Sequence, residues 1–219
     1  MNVLVGCEHS GIIREAFKSR GHTVYSCDLL PSVIPSEFHI QDDILKVIKN
    51  PPIKFDLFIA HPPCTYLSVA GSGHRTRARD KKTEEAIEFF KKLYYSTQFR
   101  HICMENPVGF INKFVPHHQI VHPFYFAKPG SGENVMKQTC LWLRNLPLLK
   151  YETNPRPAPR GIFKSGAKKG QSYNWCDGVF GPKRAMVRSK TFHGIANAMA
   201  EQWSNALEWN ATDVWGKAI

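Results

Sequence analysis

A series of short apolar runs, each ending abruptly in glycine, a carboxylate or proline, constrains this chain more than anything in its composition. NVLVG (Asn2 to Gly6) runs into the turn CEHSG, TVYSC (Thr23 to Cys27) stops at Asp28, and HIQ stops at Asp42 and Asp43. FDLFIA (Phe55 to Ala60) breaks into His61-Pro62-Pro63-Cys64, and HICM (His101 to Met104) into Glu105-Asn106-Pro107. Short strands covered on both faces need runs of this kind. Between them lie segments of helical periodicity. Ser10 to Arg20 sets Ile12, Ile13, Ala16 and Phe17 on one face before Gly21 stops it; Thr83 to Thr97 is amphipathic, with Thr83 or Asp80 as its cap. This alternation predicts an α/β fold, an open, mostly parallel sheet with helices on both faces.

Further along, Gln119 to Phe126 and Thr139 to Leu143 read as extended, and SGHRTRARDKK as a mobile polar loop. From Pro147 to Arg188 the prolines at 155, 157 and 159 and the segments KSGAKKG and GPKR cannot continue a sheet. Thr191 to Ala206 returns to helical periodicity, and the last dozen residues read as loosely held. The expected division is a core over 1–144, a small basic irregular insert over 145–188, and a C-terminal helix over 189–219 that packs back on the core.

The 219 residues suffice for one domain with a sizeable core. Lys and Arg number 29 against 18 Asp and Glu, a net charge of +11 that favours polyanionic partners such as nucleic acid. The six cysteines lie far apart, without the paired spacing of a zinc site or a disulfide framework, so no metal is expected. Cys7, Cys27, Cys103 and Cys140 read as packing residues; Cys176 has no reading. The opening MNVLVGCEHSG reads as strand and turn rather than a signal peptide, and no apolar run is long enough to cross a bilayer. A reducing, cytoplasmic compartment is the expectation.

In an open α/β sheet, ligands bind beyond the carboxyl ends of the strands. The residues there are Gly6, Glu8 and Gly11, then Asp28, Asp42 or Asp43, His61 to Cys64, and Glu105 with Asn106. Glycines in the first turn let backbone approach a ligand, and a carboxylate ending the second strand is placed to accept ribose hydroxyls. Together they describe a site for a nucleoside-containing cofactor. A tight turn and an ordinary strand-end aspartate are the plain alternatives.

LVGCEHSGIIREAF, CDL, QDDIL, DLFIAHPPCTYLS and CMENPVG, in that order, resemble the motifs of S-adenosylmethionine-dependent cytosine-C5 DNA methyltransferases. KQTCLWL and RSKTFHGIANAMAEQW resemble that family's later strand and closing helix, and the chain is most similar to the short versions found in phages and prophages. The resemblance implies a Rossmann-like methyltransferase fold, S-adenosylmethionine as cofactor, DNA as partner, and the cytoplasm of a bacterium or a phage-infected host. It implies Cys64 as nucleophile at cytosine C6, Glu105 as the acid at N3 and Arg188 as a catalytic cation. Gly6, Glu8, Ser10, Gly11, Asp28, Leu29, Asp43 and Pro62 become cofactor-binding residues. His61, Pro63, Thr65, Asn106 and Arg184 become substrate-binding residues.

The chain departs from the family in three places. Thr65 stands where glutamine usually follows the cysteine, Pro107 where valine usually follows Glu-Asn, and the region that reads DNA is short. Other readings remain open at this point. Amino-methyltransferases carry Asp or Asn before two prolines and an aromatic after them, where this chain has His61 and Cys64. An enzyme acting on cytosine nucleotides, and a catalytically silent binder that keeps the fold, fit the same core. For Cys64 the plain alternative is a packed thiol in a rigid turn.

Overall fold

The computed structural model describes residues 1–68, 76–152, 154–166, 168–174 and 191–215, with side chains to residue 207 in the last helix. Arg184, Arg188 and Cys176 lie outside the described residues, as do residues 72–75 of the segment SGHRTRARDKK. Seven strands form one sheet: β1 (Asn2–Gly6), β2 (Thr23–Asp28), β3 (His39–Gln41), β4 (Leu57–Ala60), β5 (His101–Pro107), β6 (Gln119–Val121) and β7 (Thr139–Arg144). Their spatial order is β3-β2-β1-β4-β5-β7-β6, with β7 antiparallel to both neighbours and the other pairings parallel. This is the open, mostly parallel α/β sheet that the strand-helix alternation predicts, in the Rossmann-like arrangement that the resemblance implies.

Each face of the sheet has its own core. On one side α1 (Ile12–Lys18) and α4 (His193–Trp215) cover Val3, Val5, Leu57 and Ile59 with Ile13, Phe17, Met199 and Trp203. On the other, α2 (Ile44–Lys49) and α3 (Arg77–Tyr94) cover Leu4, Phe58 and Met104 with Ile44, Val47, Ile87 and Phe90. Burial on both faces explains why β4, Leu-Phe-Ile-Ala, contains no polar residue. The two largest buried side chains keep their indole N–H groups satisfied, Trp142 donating to the Val115 carbonyl and Trp203 to that of Pro147.

The structure corrects several boundaries. RARDKK is not loop: α3 starts at Arg77, because Thr76 caps it by accepting from the Arg79 N–H and Asp80 lies in its first turn. Residues 44–49, for which the sequence gives no helix, form α2, with Asp43 as its cap. Strand β5 continues through Pro107 because β7 pairs with it along that length, which places Glu105 and Asn106 inside the strand. Phe126 lies in a 3-10 turn over Pro123–Phe126, not in a strand. The last helix runs to Trp215, well past Ala206. In the insert, β8 (Gly161–Ile162) and β9 (Ser172–Tyr173) form a small hairpin. No described helix is long and apolar enough to cross a membrane.

Glu133, which no sequence signal singled out, starts α4. It is buried, and its two carboxylate oxygens accept from the His193 and Gly194 N–H groups, both at 2.8 Å. Gly194 is needed there, since a Cβ would lie 2.6 Å from the Phe126 carbonyl oxygen. Removing the carboxylate leaves helix-start donors unsatisfied, at a cost of about 1–3 kcal/mol. Glu133→Ala is therefore expected to lower the unfolding free energy measured in urea by that amount while Glu133→Gln loses less, and equal midpoints for wild type and Glu133→Ala would contradict the capping role.

Candidate active site

The sheet reverses its winding between β1 and β4, the two central strands, and a crevice opens outside their carboxyl ends at such a point. The first turn is tightly constructed. A Cβ on Gly6 would meet Ile44 Cγ1 at 2.9 Å and Phe58 Cε2 at 3.0 Å, so α2 and β4 require glycine there. Cys7 and Gly11 both take the left-handed conformation, with φ of 55° and 77°. Glu8 is buried and turned inward: Oε1 accepts from the Ile13 N–H at 2.6 Å and from the Ser10 hydroxyl, and Oε2 from the Arg14 N–H at 3.3 Å. Glu8 and Ser10, expected at the cofactor, thus hold the turn and the start of α1 together, because those helix N–H groups have no other acceptor in the turn.

Asp28 ends β2 with Oδ1 accepting from the Leu30 N–H at 2.9 Å, and Leu29 beside it is 72% exposed. The loop that follows is fastened by Arg14, a fully buried arginine that donates to the hydroxyls of Ser26 and Ser32 and to the Ile34 carbonyl. Asp43 caps α2 through the Leu45 N–H. Burial, then Asp28, Cys27 and Asp43, push the Cys7 thiol up to about 12, so both carboxylates flank the first turn and Cys7 stays a thiol.

The loop after β4 is held at each step. His61 N–H donates to the Gly6 carbonyl at 3.0 Å, extending the β1 pairing. Asn106, 1% exposed, donates from Nδ2 to the Pro62 carbonyl at 2.7 Å. The Cys64 carbonyl accepts from Leu67 and Ser68, which closes a turn and leaves Cys64 half-buried at its head, with Pro63 and Thr65 exposed on either side. Phe110 N–H donates to the Leu67 carbonyl at 2.6 Å, and a Cβ on Gly109 would fall 1.9 Å from that oxygen, so only glycine lets the two loops meet. At the outer lip Arg79 donates to the Thr65 carbonyl, and Arg79 and Lys82 both lie over the Tyr66 ring.

Beneath this loop, His61 Nδ1 and Glu105 Oε2 stand 2.9 Å apart, with 14% and 19% of their side-chain surfaces exposed. Burial disfavours charge on the imidazole, but the Glu105 hydrogen bond, its charge and that of Glu8 outweigh it and raise His61 above its ordinary 6.5. Burial likewise pushes Glu105 up, but the His61 hydrogen bond, then Lys137 and the charge of His61, bring it below its ordinary 4.5. Both shifts favour imidazolium beside carboxylate. The pair's contribution to stability is fully present between 4.5 and 6.5, lost as pH falls through the depressed Glu105 value, and lost as pH rises through the elevated His61 value. His61 Nε2 and Asn106 Oδ1 are buried and have no hydrogen-bond partner among the described residues.

Gly6, Gly11, Asp28, Leu29, Asp43, His61 to Thr65, Glu105 and Asn106 thus stand along one sheet edge, with Glu8 and Ser10 supporting the turn between them. Lys137, half-buried just before β7, acts on both members of the His61–Glu105 pair and was missed, although it opens the KQTCLWL segment. Arg14 was missed because it lies on the apolar face of its helix, and its only signal is a charge at a buried position.

No family model matches the chain, and no curated protein does. Among solved structures it is similar to a prophage-encoded chain from E. coli described as a candidate DNA modification methyltransferase, at 15% identity and a TM-score of 0.43. That match covers 74% of this chain and 56% of the other. It is also similar to WbdD, solved with a kinase inhibitor, at 14% identity and a TM-score of 0.38, covering 71% of this chain and 38% of that one. The chain therefore spans less than two thirds of either.

The clamp on the Pro62 carbonyl is testable by itself. Asn106→Ala leaves a buried carbonyl without its donor, a loss of about 1–3 kcal/mol that urea denaturation would register. An unchanged midpoint would mean that the loop holds its position without Asn106.

Proposed function

We propose that this chain is an S-adenosylmethionine-dependent DNA methyltransferase that modifies cytosine at C5 through a covalent Cys64 adduct. The observation that carries the reading is that one strand, β5, supplies both Glu105 and the clamp on the loop that carries Cys64. Those two reacting groups, a thiol and a carboxyl, are what C5 chemistry needs from a protein. Cytosine C5 is too weak a nucleophile to be methylated directly.

Cys64 Sγ, losing its proton to solvent, would bond to C6; the C5–C6 π pair then moves to C4–C5 and the C4–N3 pair onto N3. Glu105, hydrogen-bonded to protonated His61, would pass to N3 the proton it takes as its charge develops. When bound, S-adenosylmethionine supplies an electrophilic methyl group for the enriched C5. Loss of the C5 proton to solvent re-forms the C5–C6 bond and expels the Cys64 thiolate, and N3 returns its proton.

The first-turn and β2 residues fit the methyl donor. Asp28 uses one oxygen on the Leu30 N–H and has its other directed to no described donor, beside the exposed apolar surface of Leu29. Asp28 would hold the ribose, Leu29 the adenine, and the backbone of Gly6, Gly11 and Pro62 the remainder, with Asp43 at the flank. His61 Nε2 and Asn106 Oδ1, buried without a partner among the described residues, suit a site that takes a polar ligand.

Pro63 and Thr65 would face the base, which must leave the helix stack to reach Cys64. Arg184 is proposed as a base contact and Arg188 as the catalytic cation. The net charge of +11 and the basic lip of Arg79 and Lys82 suit a phosphate backbone.

DNA containing 5-fluorocytosine distinguishes the readings, because fluorine cannot leave C5 as a proton does. With S-adenosylmethionine, wild type is expected to form an adduct that survives denaturing electrophoresis, and Cys64→Ser none. Methyl label in DNA without such an adduct would point to amino methylation. Label on dCMP but not on DNA would point to a nucleotide enzyme, and no label on either would end the enzyme reading.

A further inference from the structure

The family resemblance places His61 among the substrate-binding residues, yet its ring is the only described side chain hydrogen-bonded to Glu105. The imidazole is held through Nδ1 alone, since Nε2 has no partner among the described residues. The backbone fixes it further, His61 N–H lying on the Gly6 carbonyl and the next carbonyl on Asn106. A histidine so restrained can neither swing away from Glu105 nor reach outward without breaking the pair.

The other titratable groups facing the pair come from three elements. Glu8 lies on the β1 side, Lys137 on the approach to β7, and the Cys103 and Cys140 thiols on β5 and β7 near Glu105. The thiols are pushed up by burial first and by Glu105 second, and stay protonated. Glu8 and Lys137 are of opposite sign and partly offset each other at His61.

We infer that His61 is a positioning residue for Glu105, fixing the carboxyl toward the base and sharing with it the one proton that N3 takes up. The inference rests on the C5 reading. As the Cys64 sulfur bonds to C6, the pair gives up its proton to N3. Neutral His61 then remains hydrogen-bonded to ionised Glu105, and the proton returns when the ring regains its double bond. No oxidant or further reactant is needed. The reaction then requires the pair to be protonated, so its alkaline limit follows the ionisation of His61. Without the imidazole, a lone Glu105 must itself hold the proton, and carboxyls hold protons only at lower pH.

The test compares the pH dependence of adduct formation on 5-fluorocytosine DNA for wild type and His61→Gln, which keeps a donor toward Glu105 but cannot ionise. The alkaline limb is expected to move acidward by about one pH unit or more in His61→Gln. A purely structural role would lower the rate at every pH and leave the limb in place.

A second measurement needs no turnover. The His61 imidazole, followed by NMR, should titrate above 6.5 in wild type and at lower pH in Glu105→Gln. This arm stands whether or not His61→Gln folds. If wild type forms the adduct but the limb is unmoved, or if the imidazole titrates alike in both proteins, the inference is overturned and the C5 reading survives. If wild type forms no adduct at any pH, the C5 reading falls, and the inference with it.

Discussion

Two neighbouring residues of β5 hold two neighbouring residues of the loop after β4, and the rest of the site depends on that double attachment. Glu105 takes the His61 ring at 2.9 Å and Asn106 takes the Pro62 carbonyl at 2.7 Å. Proline has no N–H and a fixed φ, so a Pro-Pro segment cannot pair with a strand and must be secured through its carbonyls. Asn106 secures one, and the Cys64 carbonyl secures the turn that follows through Leu67 and Ser68. With both ends tied, Cys64 stands at a position set by the sheet rather than by a loose loop. Sites mounted on rigid elements keep their geometry at low entropic cost during reaction.

This arrangement places an ion pair and an amide where the fold otherwise buries apolar residues. A buried pair gains little net stability, because desolvation of both charges consumes most of their attraction. The fold's stability comes from the two apolar faces, Leu4, Phe58 and Phe90 on one and Val5, Phe17 and Trp203 on the other. The polar groups at the carboxyl edge are carried by that core. The same division recurs at α4, where buried Glu133 spends both oxygens on helix N–H groups.

Much of the sheet was legible in the sequence because a strand covered on both faces leaves a strong signal, and β1, β2, β4 and β5 all carry it. The carboxyl ends of those strands were legible too: Asp28, the Pro-Pro-Cys turn and the Glu-Asn pair stand at one edge. The start of α3 was not, because RARDKK is polar on every face, and polarity in one dimension looks the same in a solvated helix as in a loop. Residues 44–49 were hidden by their brevity. Glu133, Arg14 and Lys137 were invisible for another reason. Each acts on residues distant in the chain, so no local spacing records the contact.

The central claim concerns which atom of which base receives the methyl group. DNA exposed to the wild-type chain and isotopically labelled S-adenosylmethionine, then digested to nucleosides and resolved by mass spectrometry, answers it directly. This account predicts label in 5-methyldeoxycytidine, and none when Cys64 is replaced by alanine. Label in N4-methyldeoxycytidine or N6-methyldeoxyadenosine, or label that persists in Cys64→Ala, would contradict it.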